Sequence, residues 1–287
     1  MLELHCHTTY SDGTLTPGEL VARAAGAGVR ALAITDHDTL SGWEEAKVAA
    51  LAHGIEFVPG VELSTVHNSR SMHILGFYPD AGLLGGALRE RVGGRFRRAL
   101  KMVENLAALG YNIELPVLGE GMAPGRPHIA AALVKAGYVQ CNQEAFDRLL
   151  GEDKPAYVGY EKFSSGDGIA LLRRCGGVPV WAHPYLFRGG NVEDVLVELV
   201  EAGLMGVEVY HPTHSPAQVK NLERLCAEYG LLMTGGSDYH GPSLDAGGAE
   251  STTLNMLHLP LALLEPVKKA ALHIPGMNPA PQPLNDL

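Results

Sequence analysis

Nine residues of two chemical kinds stand in six short stretches of this chain. His5 and His7 flank Cys6, with Asp12 shortly after; His37 lies in Thr35-Asp36-His37-Asp38; Glu62 closes Gly60-Val61-Glu62; His73 stands in an apolar run; His183 lies in Ala182-His183-Pro184; Asp238 and His240 lie in Gly236-Ser237-Asp238-Tyr239-His240. Imidazole suits zinc, iron and similar ions, and carboxylate suits manganese and magnesium. Residues i and i+2 of a strand point to one side. His5 and His7 can therefore reach one ion, and Asp238 and His240 can reach adjacent ions. Nine ligands exceed the needs of a single ion, so the set points to two or three divalent metal ions (Mn, Fe or Zn) sharing a bridging carboxylate.

Taken singly, each stretch has an ordinary reading. H-x-H in a strand is commonly without function, Asp36 can cap a following helix, and His73 fits a hydrogen-bonded core histidine. Together, six separate stretches deliver imidazoles and carboxylates near strand ends, which independent structural roles do not explain.

Those stretches need a scaffold whose strand ends converge. Apolar runs at 2–6, 31–35, 56–61, 72–78, 178–182, 206–210 and 231–235 read as strands. They alternate with helices at 17–27, about 42–53, 168–175, 192–202 and 217–229; the first has Thr16 as N-cap, Pro17 at its first position and Gly28 past its end. This rhythm predicts a parallel sheet or barrel, and barrel active sites sit where strand ends converge. Between 82 and 160 the pattern turns helical: Met102, Leu106 and Leu109 recur before Gly110, and Ile129, Leu133 and Val134 before Gly137. The expected organisation is a barrel domain from residues 1–81 and 161–275, a helical insertion subdomain at 82–160 and an irregular tail at 276–287.

Composition narrows the partners. The 287 residues, 46% hydrophobic, suffice for one large α/β domain or a core domain with an insertion. A net charge of -10 and the lack of a Lys/Arg stripe exclude a long duplex nucleic acid; the basic run at 89–101 reads as part of a helix. Four scattered cysteines form no C-x-x-C pair, which argues against a thiolate zinc or redox site. With few cysteines and no signal-like segment the expected compartment is the cytoplasm. No apolar run reaches the roughly 18 to 20 residues that span a bilayer, so no membrane partner is expected. No motif speaks to oligomeric state.

The combined motifs resemble the PHP (polymerase and histidinol phosphatase) family of metal-dependent phosphoesterases, over nearly the whole chain. The resemblance implies an α/β fold, a distorted (β/α)7 barrel, with a trinuclear site. In it His5, His7, Glu62 and Asp238 would hold one ion, Glu62 as the bridge with His73 and His183 a second, and Asp12, His37 and His240 a third. Gly125-Arg126-Pro127-His128-Ile129-Ala130 and Val209-Tyr210-His211-Pro212-Thr213-His214-Ser215 further resemble a subgroup with a helical insertion after the fourth strand. Its members act on nucleoside 3′,5′-bisphosphates, some on the 5′ ends of short RNA, others on a cyclic sugar phosphate.

The implied reaction is hydrolysis of a phosphomonoester in a small doubly phosphorylated substrate, such as a nucleoside 3′,5′-bisphosphate or the end of a short oligonucleotide. A hydroxide bridging two ions would attack phosphorus in line. Arg126, at a helix entry, suits the phosphate that is not cleaved, with His128 beside it. Arg188, on the loop after His183, suits the reacting phosphate. His214, after the strand at 206–210, is the candidate proton donor to the leaving oxygen; His211 is the weaker one. His53, His67, His258 and His273 fit no motif and read as structural or solvent-exposed. One rival is a cyclic phosphodiesterase acting on a phosphorylated sugar, because the same ions would hold either phosphate. Histidinol phosphate hydrolysis is disfavoured by the G-R-P-H segment. A rival of another class is a non-catalytic metal-binding module, as when such a domain is appended to a polymerase; the complete ligand set opposes it.

Overall fold

The computed structural model describes residues 1–115, 118, 122–242 and 252–274; the expected tail at 276–287 lies outside them. Seven strands follow one another in chain order: β1 (Leu2–Glu3), β2 (Ala31–Ile34), β3 (Glu56–His67), β4 (Arg70–Phe77), β5 (Val178–Trp181), β6 (Gly206–Tyr210) and β7 (Leu232–Gly235). The first and last edges also meet. Leu4 N donates to Gly235 O (3.3 Å) and His7 N to Tyr239 O (2.9 Å), with a parallel bridge between Cys6 and Tyr239. The result is a nearly closed seven-stranded barrel, which leaves little unpaired edge.

One strand departs from the expected parallel pairing. β4 runs antiparallel to both β3 and β5. The reason is local: Asn68 and Ser69 alone join β3 to β4, both at positive φ (47° and 61°), as a two-residue hairpin turn matched to strand twist requires. A parallel return would need a crossover of a dozen or more residues. β3 is also longer than the apolar run at 56–61 suggests. Glu62 therefore stands within the strand, where its position depends on pairing on both sides, and not at its end.

Helices pack outside: α1 (Pro17–Gly26), α2 (Trp43–His53), α6 (Ser165–Arg174), α7 (Val192–Glu201) and α8 (Pro216–Tyr229). Thr16 with Glu19, Ser164 with Asp167, and Ser215 with Gln218 form capping boxes at the starts of α1, α6 and α8, each satisfying two otherwise orphaned backbone donors. Alternate strand residues, among them Leu4, Ala33, Val58, Leu75 and Val180, meet inside the barrel; α9 (Leu264–Leu272) adds Leu264 and Val267 and closes its lower end. Each such fully buried leucine or valine contributes about 1.5–3 kcal/mol. The histidines occupy the opposite end.

The insertion holds α3 (Ala81–Ala108), α4 (Arg126–Lys135) and the four-residue α5 (Asn142–Ala145), followed by a π turn at Phe146–Leu150. α3 serves both parts. Leu84 and Leu88 pack with the barrel's outer core, while Ala99, Met102 and Leu106 join Ile129, Leu133 and Leu149 in a separate core. The expected division at 81/82 thus falls at the start of one continuous helix. Leu109, third in the spacing of Met102 and Leu106, is the C-cap of α3 and is exposed. All four cysteines are unpaired. No helix among the described residues is long and apolar enough to cross a membrane.

Candidate metal centre

The upper end of the barrel is built from chain segments that just leave their strands. Past β1, His5 and His7 turn inward while Cys6 packs outward against α1 and α2. The end of β7 can lie against them only because residue 236 is glycine: a Cβ there would sit 2.5 Å from His5 N. Gly13 permits an equally close turn, since a Cβ would meet His7 O at 2.4 Å, and that turn carries Asp12. Asp36 locks the same loop. It accepts hydrogen bonds from Thr8 N (2.8 Å), Thr8 Oγ1 (2.6 Å) and Ser11 Oγ (2.6 Å). Asp36 is therefore not a helix cap; the N-cap of α2 is Gly42, with no side-chain cap.

These segments bring the nine predicted metal residues together. His5 Nε2 lies 3.5 Å from Glu62 Oε2 and 3.2 Å from Asp238 Oδ1, and His7 Nε2 lies 3.3 Å and 3.2 Å from the same atoms. A tetrahedral ion with bonds of 2.0–2.1 Å spaces its ligand atoms by ~3.4 Å; His5, His7 and Asp238 converge closely enough to share one ion, and Glu62 closes a neighbouring set with His5 and His183. The other oxygen of Glu62, Oε1, faces His73 Nδ1 (2.9 Å) and His183 Nε2 (3.2 Å). Asp12 faces His37 Nε2 (3.7 Å) and His240 Nε2 (3.3 Å) through its two oxygens. His37 also turns Nδ1 to Glu62 Oε2 at 3.1 Å, which links the Asp12 group to the carboxylate that the other groups share.

A test of fit comes from unsatisfied atoms. Buried polar atoms are nearly always hydrogen-bonded, yet His5 Nε2, His7 Nε2, His37 Nδ1, His73 Nδ1 and Asp12 Oδ1 are buried without a hydrogen-bond partner. All point into one small volume, where four overlapping sets of three or four ligand atoms lie within 4.8 Å of one another. Mixed nitrogen and oxygen donors with this convergence suit divalent ions.

Electrostatics agree. Burial opposes charge on Glu62, Asp12 and Asp238, yet the surrounding histidines hold all three carboxyls well below their usual range. Burial likewise opposes charge on His7, but Asp238 and Glu62 raise it to about 10. His37 is pushed down to about 3, burial being the largest cause.

His183 and Asp238 both adopt positive φ (32° and 51°), a conformation non-glycine residues rarely take and one that recurs at functional sites. Asp38, next to His37, does the same at 55°. It is fully buried and pairs with Arg91 Nε (2.9 Å) and Arg95 Nη1 (3.1 Å) of α3. Arg95 also reaches Ser64 Oγ (2.8 Å), and Arg91 lies over the Phe163 ring at 3.9 Å.

The centre forms one wall of a cleft of about 520 Å³. Arg126 and Arg188 line it, as does Lys154, which sequence reading passed over. Arg126 lies 5.6 Å and 5.7 Å over the Phe146 and Tyr157 rings, so stacking holds its guanidinium while its donors stay available. Two other predicted residues are not brought to the cleft. His128 uses Nδ1 to accept the Gly125 amide (3.1 Å) at the start of α4. His214 donates Nδ1–H to Val209 O (2.9 Å) and stacks edgewise on Tyr185 and obliquely on His211. Burial pushes His214 down, and its Nδ1 is engaged with the backbone of β6. His211, rated below it from sequence, stands nearer, with Nε2 3.7 Å from Asp238 Oδ2. Glu208 was missed altogether: in the sequence it is an ordinary strand residue, and only its burial at the barrel centre distinguishes it.

Comparison with known proteins matches the geometry. The PHP domain family matches residues 3–151. A 5′-3′ exoribonuclease of Haemophilus influenzae is 36% identical over 84% of this chain and 90% of its own length. A 3′,5′-nucleoside bisphosphate phosphatase of Chromobacterium violaceum is 33% identical over 84% and 87%. A phosphoribosyl 1,2-cyclic phosphate 1,2-diphosphodiesterase of Eggerthella lenta is 33% identical over 83% and 94%. An amidohydrolase structure from Chromobacterium violaceum, with bound sulfate and no metal, superposes with a TM-score of 0.79 at 31% identity, covering 94% of this chain and 96% of that one. The barrel with its histidine-rich end is thus a known class of fold, and this chain belongs to the PHP family.

Proposed function

We propose that this protein is a metal-dependent phosphoesterase that hydrolyses a phosphomonoester in a small, doubly phosphorylated substrate. A nucleoside 3′,5′-bisphosphate or the 5′ end of a short oligonucleotide fits this description. The observation that carries the reading is the pairing, in one cleft, of a convergent set of unsatisfied metal-type donors with Arg126 and Arg188 on other walls. The cleft volume lies within the range of small-molecule sites, roughly 300–1,000 Å³.

His5, His7, Glu62 and Asp238, then Glu62, His73 and His183, then Asp12, His37 and His240 would hold two or three ions of Mn, Fe or Zn. Such ions supply Lewis-acid charge to the phosphoryl oxygens and acidify the attacking water. The chain's own groups orient the substrate. Arg126 grips the phosphate that is retained, and Arg188 steadies the one that reacts. Both are guanidinium donors suited to bidentate contact with phosphate. Fixing both ends lowers the barrier by settling orientation before the chemical step. Names of the relatives support the substrate class: one acts on RNA from its 5′ end and one on nucleoside bisphosphates.

The testing experiment compares phosphate release by manganese-loaded protein from adenosine 3′,5′-bisphosphate and adenosine 5′-monophosphate. Strong preference for the bisphosphate is expected. Equal rates, or none, would transfer the reading to a cyclic sugar phosphate, which the Eggerthella lenta relative's name supports. Arg126→Ala should lower kcat/KM on the bisphosphate by about 10- to 100-fold, the loss of one charged hydrogen-bonding partner worth ~1.5–3 kcal/mol. Turnover of a generic aryl phosphate should stay close to that of the unaltered protein. A similar loss on both substrates would remove Arg126 from the second phosphate.

A further inference from the structure

We propose that Glu208 is a positioning residue for the metal centre, its one carboxylate setting the His5 ring and the His183 backbone together. Along β6, Val207 and Val209 face outward into the core shared with α7 and α8, so Glu208 faces into the barrel, where it is fully buried. Its Oε1 accepts from His5 Nδ1 at 2.9 Å and its Oε2 from His183 N at 2.8 Å. A carboxylate only accepts hydrogen bonds. The proton of the His5 ring is thereby placed on Nδ1, and the Nε2 lone pair is aimed at Glu62 Oε2 and Asp238 Oδ1. Carboxylates behind metal-binding histidines commonly set tautomer and orientation in this way. The second oxygen secures His183 in its left-handed conformation (φ 32°, ψ 62°), which turns His183 Nε2 to Glu62 Oε1. Glu208 thus ties together two ligands, from β1 and β5, that face opposite oxygens of Glu62.

Glu208→Gln conserves volume but offers one acceptor atom where two are needed. If its oxygen keeps the His183 amide, its NH2 group faces His5 Nδ1 and drives the ring proton onto Nε2, toward the ions. If it turns over, the His183 amide meets an N–H. This inference rests on the metal reading above, and the test separates the two. The full chain is stripped with chelator and titrated with zinc against a competing chelator. Unaltered protein should bind, and Glu208→Gln should bind about 10- to 100-fold more weakly, with the melting temperature of the metal-free protein little changed. Unchanged zinc affinity, even with a lowered melting temperature, overturns the positioning role; no zinc binding by the unaltered protein overturns the metal reading itself. Should the variant fail to fold, nitrogen-15 NMR of the unaltered zinc-loaded protein decides. A His5 ring protonated at Nδ1 supports the role, and one protonated at Nε2 overturns it.

Discussion

Replacing His5 and His7 together by alanine should abolish phosphate release from every substrate and lower the bound metal. Their Nε2 atoms each lie 3.2 Å from Asp238 Oδ1, with which they form one candidate ligand set, and neither has a hydrogen-bond partner. Removing both imidazoles of that set should remove Lewis-acid stabilisation of several kcal/mol, which corresponds to a loss of roughly 10³-fold or more. Turnover measured with excess manganese, together with metal content by elemental analysis, checks this. Unchanged turnover would sink the assignment of the centre. Unchanged metal content with lost turnover would show that the remaining residues hold the ions and that this set serves the reaction alone.

Asp38→Ala should destabilise the fold by about 3–5 kcal/mol, the cost of removing one partner from a buried charge cluster. Burial alone would raise the Asp38 carboxyl, but Arg91 and Arg95 hold it below its usual value, so it is ionised between two guanidiniums. It also accepts from Ser64 N at 3.1 Å. Its loss would leave Arg95 buried and uncompensated between the barrel and α3. The melting temperature should fall by roughly 10 °C for a chain of this size. Asp38→Asn, which keeps the shape and one acceptor, should fall less. A melting temperature unchanged in Asp38→Ala would mean that Ser64 and solvent suffice for the arginines. The neighbouring His37 makes a second consequence: a loosened Asp38 should weaken metal binding at the group formed with Asp12 and His240.

The sequence by itself determined which residue types could meet at one end of the barrel. His5, His7, Asp12, His37, Glu62, His73, His183, Asp238 and His240 were legible as a candidate set because metal ligands must be of these residue types, whatever holds them, and the fold brings them together. The strand and helix rhythm was legible because buried strands and capped amphipathic helices leave periodic marks. Other features depended on distant partners. β4 turns antiparallel because a two-residue turn at Asn68-Ser69 leaves no room for a crossover. Asp36 and Asp38, adjacent to His37 on either side, do different work: one ties down the loop of Asp12, and the other anchors α3. Nothing local separates those roles, since a carboxylate accepts from whatever donor the fold brings near. His211 outranks His214 as a neighbour of Asp238 because the turn after β6 points one ring toward the centre and the other back onto Val209. Glu208 shows the limit most clearly. An isolated strand glutamate reads as solvated, and only closure of the barrel, which buries it between His5 and His183, turns it into part of the site. Residue type is a property of the chain, but which hydrogen-bond partner a buried group meets is a property of the packed whole.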